Sequence, residues 1–164
     1  MPRIELDHIS DSAYTWVFGL SPRLDAAKEA TLLRAVDVFL AQWAAHGQAI
    51  TSAREIKDGS FLVIAAESDS ERSGCSIDRL FGTLRGLESE LGVSIVDANR
   101  VFYRSAEGSV EAASREGFAR TGRPNTVVFD TTAESLGDIR SGRWERPAAD
   151  SWHRHLLKST TSVI

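Results

Sequence analysis

The sequence predicts an α+β fold. Its core has the ferredoxin-like βαββαβ order, an antiparallel sheet with two helices on one face, and a C-terminal α/β extension follows. Three observations carry that reading. Two segments place apolar residues on a single helical face. A six-residue apolar run, "FLVIAA" at 61–66, follows the turn signal Asp58-Gly59. The aromatic and β-branched stretch "YTWVF", 14–18, precedes them all.

"YTWVF" has the composition of a strand, and "GLSPRLD" then breaks the chain. From about Asp25 to His46, Leu32, Leu33, Val36, Phe39, Leu40 and Trp43 fall on one face of a 3.6-residue period. Gly47 stands where a C-cap glycine would, and His46 in the last turn would favour the helix dipole. Ile50, Ser52, Arg54 and Ile56 alternate as in a half-exposed strand. Asp58-Gly59 supplies a tight turn, and the run 61–66 reads as a strand covered on both faces. The polar loop "ESDSERSG" leads to a second helix, whose Ile77, Leu80, Phe81, Leu84, Leu87 and Leu91 again share one face; Gly92 ends it. "VSIVD" and "RVFYR" then read as one bulged strand or two short ones. In the extension, "GSVEAA" is expected to pair back on "RVFYR". "SREGFARTG" suits a short helix, "NTVVFD" a strand, and "TTAESLGDIRSG" a helix begun at Thr131 or Thr132. No repeat or linker separates these parts, so residues 1–164 read as one domain, with a core at about 14–104 and an elaboration at about 105–164.

Composition narrows the function classes. The 19 Lys+Arg against 23 Asp+Glu leave a net charge of −4 and form no basic stripe, which argues against a nucleic-acid surface. A single cysteine excludes an internal disulfide and a cysteine-cluster zinc site. No apolar run reaches the ~18–20 residues of a membrane span, and the N-terminus lacks a signal-peptide layout. The expectation is a cytoplasmic protein.

The candidate chemistry centres on Cys75, in "SGCSID". A thiol in the first turn of a helix faces unpaired N–H groups that favour the thiolate. Ser73 or Ser76 is the candidate N-cap, and Ser73, Gly74 and Ser76 would let backbone amides approach an anion. The competing reading is a small buried hydrophobe at a helix entrance. A nucleophilic or redox Cys75 needs a base, for which His46 and His153 are the candidates, with Asp78 or Asp150 to orient it. "ADSWHRHLL" gathers Asp150, Trp152, His153 and His155. It reads as a docking segment that buries Trp144 and Trp152 with the histidines at its rim; no metal site is assigned. Arg100 and Arg104 flank "VFY", and with Tyr103 they suit either anion recognition or cross-strand salt bridges.

"FLAQWAAHGQAI", "SGCSID", "LGVSIVDANRVFYR" and "DSWHRHLL" together resemble a family of small bacterial proteins, common in Bacteroidetes-like genomes and commonly labelled "ABC transporter ATPase". The resemblance covers about Trp16 to His153. The label implies ATP hydrolysis. The chain carries neither the G-x-x-x-x-G-K-[ST] phosphate loop nor an LSGGQ-like segment, so no catalytic residue is transferred from the family.

The sequence therefore points to a domain that binds a small-molecule ligand or protein partner beside residues 73–76. Trp152 and Arg104 are further candidate contacts, and no cofactor is specified. The alternatives are a non-catalytic interaction module, docking through a sheet edge or the tryptophan-bearing tail, and an ATPase-related subunit.

Overall fold

The computed structural model describes residues 6–67 and 74–157. The chain is mixed α+β with antiparallel sheets. Strand β1 (Tyr14–Gly19) leads to helix α1 (Ala26–Gln42), capped by Asp25, whose carboxylate accepts the Lys28 amide at 2.8 Å. A two-residue hairpin, β2 (Ala44–Ala45) and β3 (Gln48–Ala49), comes next. The longer hairpin β4 (Ser52–Lys57) and β5 (Phe61–Ala66) then turns through Asp58 and Gly59 at φ 55° and 64°. Helix α2 (Gly74–Leu91) precedes β6 (Arg100–Arg104), β7 (Val110–Ser114), α3 (Arg115–Thr121), β8 (Val127–Phe129), α4 (Leu136–Arg140) and β9 (Glu145–Pro147).

Besides the β2–β3 hairpin there are two larger sheets, one ordered β1-β5-β4 and the other β7-β6-β8-β9. Every residue of β5 is buried, as its unbroken apolar run requires. Leu62, Ile64 and Ala66 face α1 and α2, where Leu32, Val36, Leu40, Leu80 and Leu84 pack on them. Phe61, Val63 and Ala65 face the second sheet. There the Phe61 ring meets Phe129, Trp144 and Phe102 at centroid distances of 4.7, 4.9 and 5.2 Å. The far face of the second sheet buries Val101 and Val128 beneath Phe118 of α3 and Ala148, with Leu156 and Leu157 alongside. The layers run helices, sheet, sheet, then α3 and the C-terminal segment.

The strand order β1-β5-β4 is what the βαββαβ reading expects of its first three strands. The fourth departs from it. "VSIVD" makes a single antiparallel bridge, Ser94 to Ser21, and β6 joins the other sheet. The cause is local. Glu88, one turn before the end of α2, turns its carboxylate onto the next segment and accepts the Ile95 and Val96 amides at 2.7 and 3.0 Å. Those donors are no longer available to a neighbouring strand. Phe102 of β6 instead lies across Gly19. A Cβ at position 19 would stand 2.1 Å from the Phe102 ring, so only glycine admits the second sheet this closely.

Three boundaries also differ from expectation. Helix α1 ends at Gln42, not His46. Trp43 turns inward, extended at ψ 124°, and its indole donates to the Ser76 carbonyl at 2.9 Å. His46 and Gly47, at φ 53° and 78°, are therefore the turn of the β2–β3 hairpin rather than a helix terminus and its cap. Helix α4 starts after Ser135, not Thr131 or Thr132. The Tyr14–Ser135 bridge holds the preceding residues, and the Ser135 hydroxyl takes the capping bond. Other expectations hold: β7 pairs on β6, "SREGFARTG" contains the short helix α3, and Gly92 sits at positive φ where α2 stops.

Removing the Glu88 carboxylate strands two half-buried amides, which costs about 1–3 kcal/mol. Glu88→Ala is expected to lose that much in urea unfolding. Glu90→Ala, on the exposed side of α2, should stay within about 0.5 kcal/mol of the parent.

Candidate functional site

Because "VSIVD" leaves the sheet, β1 has an outer edge with no strand beside it among the described residues. Two bridges frame that edge. At one end Thr15 donates to Glu134 at 3.0 Å and Leu136 donates to Ala13 at 3.2 Å. At the other, Ser21 and Ser94 exchange amide-to-carbonyl bonds of 3.1 and 2.7 Å. Outward-facing backbone groups alternate along a strand, so Thr15, Val17, Gly19 and Ser21 point away from β5. Leu20, of the other parity, donates to Ser60 on the β5 side at 2.7 Å. Among the described residues nothing bonds to the outward amides and carbonyls of Val17 and Gly19.

A cleft of about 570 Å³ opens along this edge. Its helix-side wall is Trp16, Phe18, Ile77, Phe81 and the 95–96 segment. Its opposite wall is Phe102, Arg100, Arg115, Trp152 and residues 131–134. Ile77 and Phe81 belong to the apolar stripe of α2. Yet they remain half-exposed, while Leu80, Leu84, Leu87 and Leu91 are buried. Apolar residues at the edge of a helical stripe are the signal that the sequence offered for this cleft.

The C-terminal wall is fixed by Asp130, a residue that the sequence reading did not single out. Its carboxylate accepts the Trp152 indole at 3.2 Å, the Thr132 amide at 3.0 Å, the Thr132 hydroxyl, and Arg146 at 2.8 Å. The acceptor-then-threonine order in "FDTT" is the available sequence clue, because an aspartate readily binds the backbone two residues on. Trp152 is held from below by His153, stacked at 4.0 Å, and the Arg115 guanidinium lies 5.2 Å from its ring centroid.

His153 is thereby corrected from rim to core. It is 1% exposed, and its Nδ1 shares a 2.7 Å hydrogen bond with the buried Ser151 hydroxyl. Burial pushes its pKa down to about 4; Asp130 opposes the shift, and Arg146 and Arg115 add to it. A neutral, enclosed imidazole is a packing element, not a base for a surface thiol. Asp150 is exposed on the turn at 148–150 and does not orient it.

The other candidates are dispersed. Cys75 lies in the first turn of α2 and is exposed, which overturns the buried-hydrophobe reading. Ser73 falls outside the described residues. Gly74 opens the helix, and Ser76 is its third residue, buried, with its carbonyl on Trp43, so Ser76 is not the N-cap. Asp78 lies beyond the first turn. Cys75, Asp78, Arg79 and Gly82 share a helical face by their spacing. Asp78, Arg79 and Gly82 line a shallow furrow of about 720 Å³ between α1 and α2, with Val38, Phe39 and Trp43. That furrow is larger than the cleft, but its guanidinium is already committed, Arg79 donating to the Ala44 carbonyl at 2.8 Å. Ile77 and Phe81 project to the other side of α2, so the thiol and Trp152 do not share a hollow. His46 stands exposed at the hairpin tip. Arg104 is not a ligand group: it pairs with Glu145, donates to the Gly108 carbonyl at 2.8 Å and covers the Phe129 ring. Arg100, the other arginine of "RVFYR", does face the cleft.

Among the described residues no group of three or more His, Cys, Asp or Glu side chains is placed to hold a metal ion. No helix among them is long and apolar enough to cross a membrane. Compared with known proteins, the chain matches no family model, no curated protein and no solved structure.

The His153 shift has a definite sign. The unfolded chain takes up a proton near the ordinary value of 6.5 and the folded one only near 4, so stability is full above pH 6.5 and declines as pH falls toward 4. The loss is roughly 3 kcal/mol at its acid limit. Urea unfolding from pH 7 to pH 4 is expected to show that decline, and His153→Asn should flatten it. An unchanged profile in the variant would assign the decline to other groups.

Proposed function

We propose that this protein is a binding protein whose ligand or partner occupies the cleft along the outer edge of β1, beside the first turns of the helix that "SGCSID" opens. The observation that carries the reading is the framed edge itself. Backbone donors and acceptors at Val17 and Gly19 face a hollow with an apolar wall and a cationic-aromatic wall. Hollows that combine apolar surface with a few convergent polar groups are where ligands bind. The interaction-module reading is favoured over an enzyme by the same observation, because a sheet edge recognises backbone rather than performing chemistry. A ferredoxin-like ancestry suits this reading: the strand order β1-β5-β4 leaves vacant the position beside β1 that a fourth strand would fill.

The thiol reading stands apart from the cleft. With His153 enclosed, His46 is the remaining candidate base for Cys75. The ATPase-related reading rests on the family resemblance alone.

The four tryptophans make the test internal. Trp16 and Trp152 line the cleft; Trp43 is buried but packs on Trp16 at 5.8 Å, and Trp144 is buried against Phe61 on the second sheet. In a fragment screen followed by ¹H–¹⁵N correlation spectra, bound fragments are expected to move the indole signals of Trp16 and Trp152 with the Val17 and Gly19 amides, leaving that of Trp144 in place. Hits confined to other parts of the molecule would sink the proposal. Cys75 is expected to alkylate rapidly in the native state. An alkylation midpoint at or above the ordinary thiol pKa of ~8.5 would end the nucleophile reading, and a melting temperature unmoved by millimolar ATP would end the nucleotide one.

A further inference from the structure

We infer that the occupant of the cleft is a single extended peptide, alternately apolar and acidic, which adds to β1 as an antiparallel strand; the inference rests on the binding role proposed for this cleft. The backbone argument comes first. Among the described residues, the outward groups with no bonding partner are the Thr15 carbonyl and the amide and carbonyl of both Val17 and Gly19. This alternating set is what an added strand satisfies and a compact ligand does not. Both framing bridges, to Ser135 and to Ser94, are antiparallel to β1, so a strand continuing their line runs the same way. Positions 15–20 span roughly 20 Å at ~3.3 Å per residue, room for a short segment only.

The walls exclude a folded partner. The edge is recessed between Phe81 and Val96 on one side and Thr132 and Trp152 on the other. The edge of a second folded copy would bring its own helices or loops against these walls, whereas one extended chain would not.

Side-chain chemistry follows from the pleat. Peptide residues opposite Trp16 and Phe18 project to the helix side, onto Ile77 and Phe81, and meet apolar surface. Residues opposite Val17 and Gly19 project toward the second sheet, where Arg100 and Arg115 stand. The Arg100 Nε is buried without a hydrogen bond among the described residues; the Asp97 carboxylate lies 3.4 Å away but is not aligned to accept one. Arg115 is exposed, with one long 3.3 Å bond to the Ala98 carbonyl. A carboxylate on the peptide would pair with the Arg115 guanidinium and with the exposed part of the Arg100 side chain. Glu134, at the Tyr14 end of the cleft, disfavours acidic residues at that end only.

The test uses the full chain, ¹⁵N-labelled, and the blocked hexapeptide acetyl-Val-Glu-Val-Glu-Val-Glu-amide. Binding is expected to shift the Val17 and Gly19 amides and to slow their hydrogen exchange. Replacing the three glutamates by lysines should weaken binding about tenfold or more. N-methylating the peptide at one alternate set of residues should abolish binding, while N-methylating the other set should leave it, since only one set points at β1. Arg115→Glu, an exposed change, should remove the preference for the acidic peptide without lowering the melting temperature. Equal binding of both N-methylated peptides would overturn strand addition, and an unchanged preference in Arg115→Glu would overturn the acidic pattern. Val17 and Gly19 amides already protected in the free protein would mean that the edge is covered by this chain, or by a second copy if protection rises with concentration; either overturns the inference. Fragments that bind in the cleft when no peptide does would overturn this inference and leave the binding role standing. A cleft silent to both would end the two together.

Discussion

A strand with no exposed face has to be covered twice, and β5 is such a strand. Its six residues are all apolar and all buried. The even-numbered ones draw the amphipathic helices α1 and α2 onto one side. The odd-numbered ones need a second apolar layer, and the chain supplies it from Phe102, Phe129 and Trp144 gathered on Phe61. The C-terminal third is therefore not an appendage to a finished core. It is the other half of the covering that β5 demands, and apolar burial of this kind is the largest favourable term in folding.

That demand explains which parts of the fold were legible in the sequence. Periodicity located α1, α2 and β5 because each follows from one residue pattern. The Asp58-Gly59 turn follows from two residues needing positive φ. The departure of the fourth strand was not legible, because it depends on Glu88 reaching seven and eight residues forward to take the Ile95 and Val96 amides. An acidic residue near a helix C-terminus carries no sequence mark of that bond. The end of α1 was misplaced for a similar reason. Trp43 fits the helical stripe by spacing, yet it leaves the helix because its indole has a tertiary acceptor on α2.

The site was harder to read than the fold. An open sheet edge is an arrangement of strands, not a motif, so no run of residues spells it. Trp152 was visible as an aromatic in a dense polar cluster. Its partner Asp130, 22 residues away, was one of many acids. His153 drew attention as a titratable group, but its burial against Phe118 and Ser151 makes it the support of Trp152. Cys75 drew attention for its rarity and its place in a helix's first turn. Both properties hold, but Cys75 is on the side of α2 away from the cleft, which Ile77 and Phe81 line.

The recess along β1 also bears on how the protein survives crowding by its own kind. An unpaired sheet edge is a template on which identical chains add and grow into fibrils, and proteins blunt such edges with charge, proline or a bulge. The β1 sequence, "YTWVFG", has no charge and no proline to do this. Its protection is geometric instead. The outward amides of Val17 and Gly19 lie at the floor of a cleft, beneath Trp152 and the 131–134 segment. That placement, rather than a charge or a proline, stands between the strand and the edge of an identical chain.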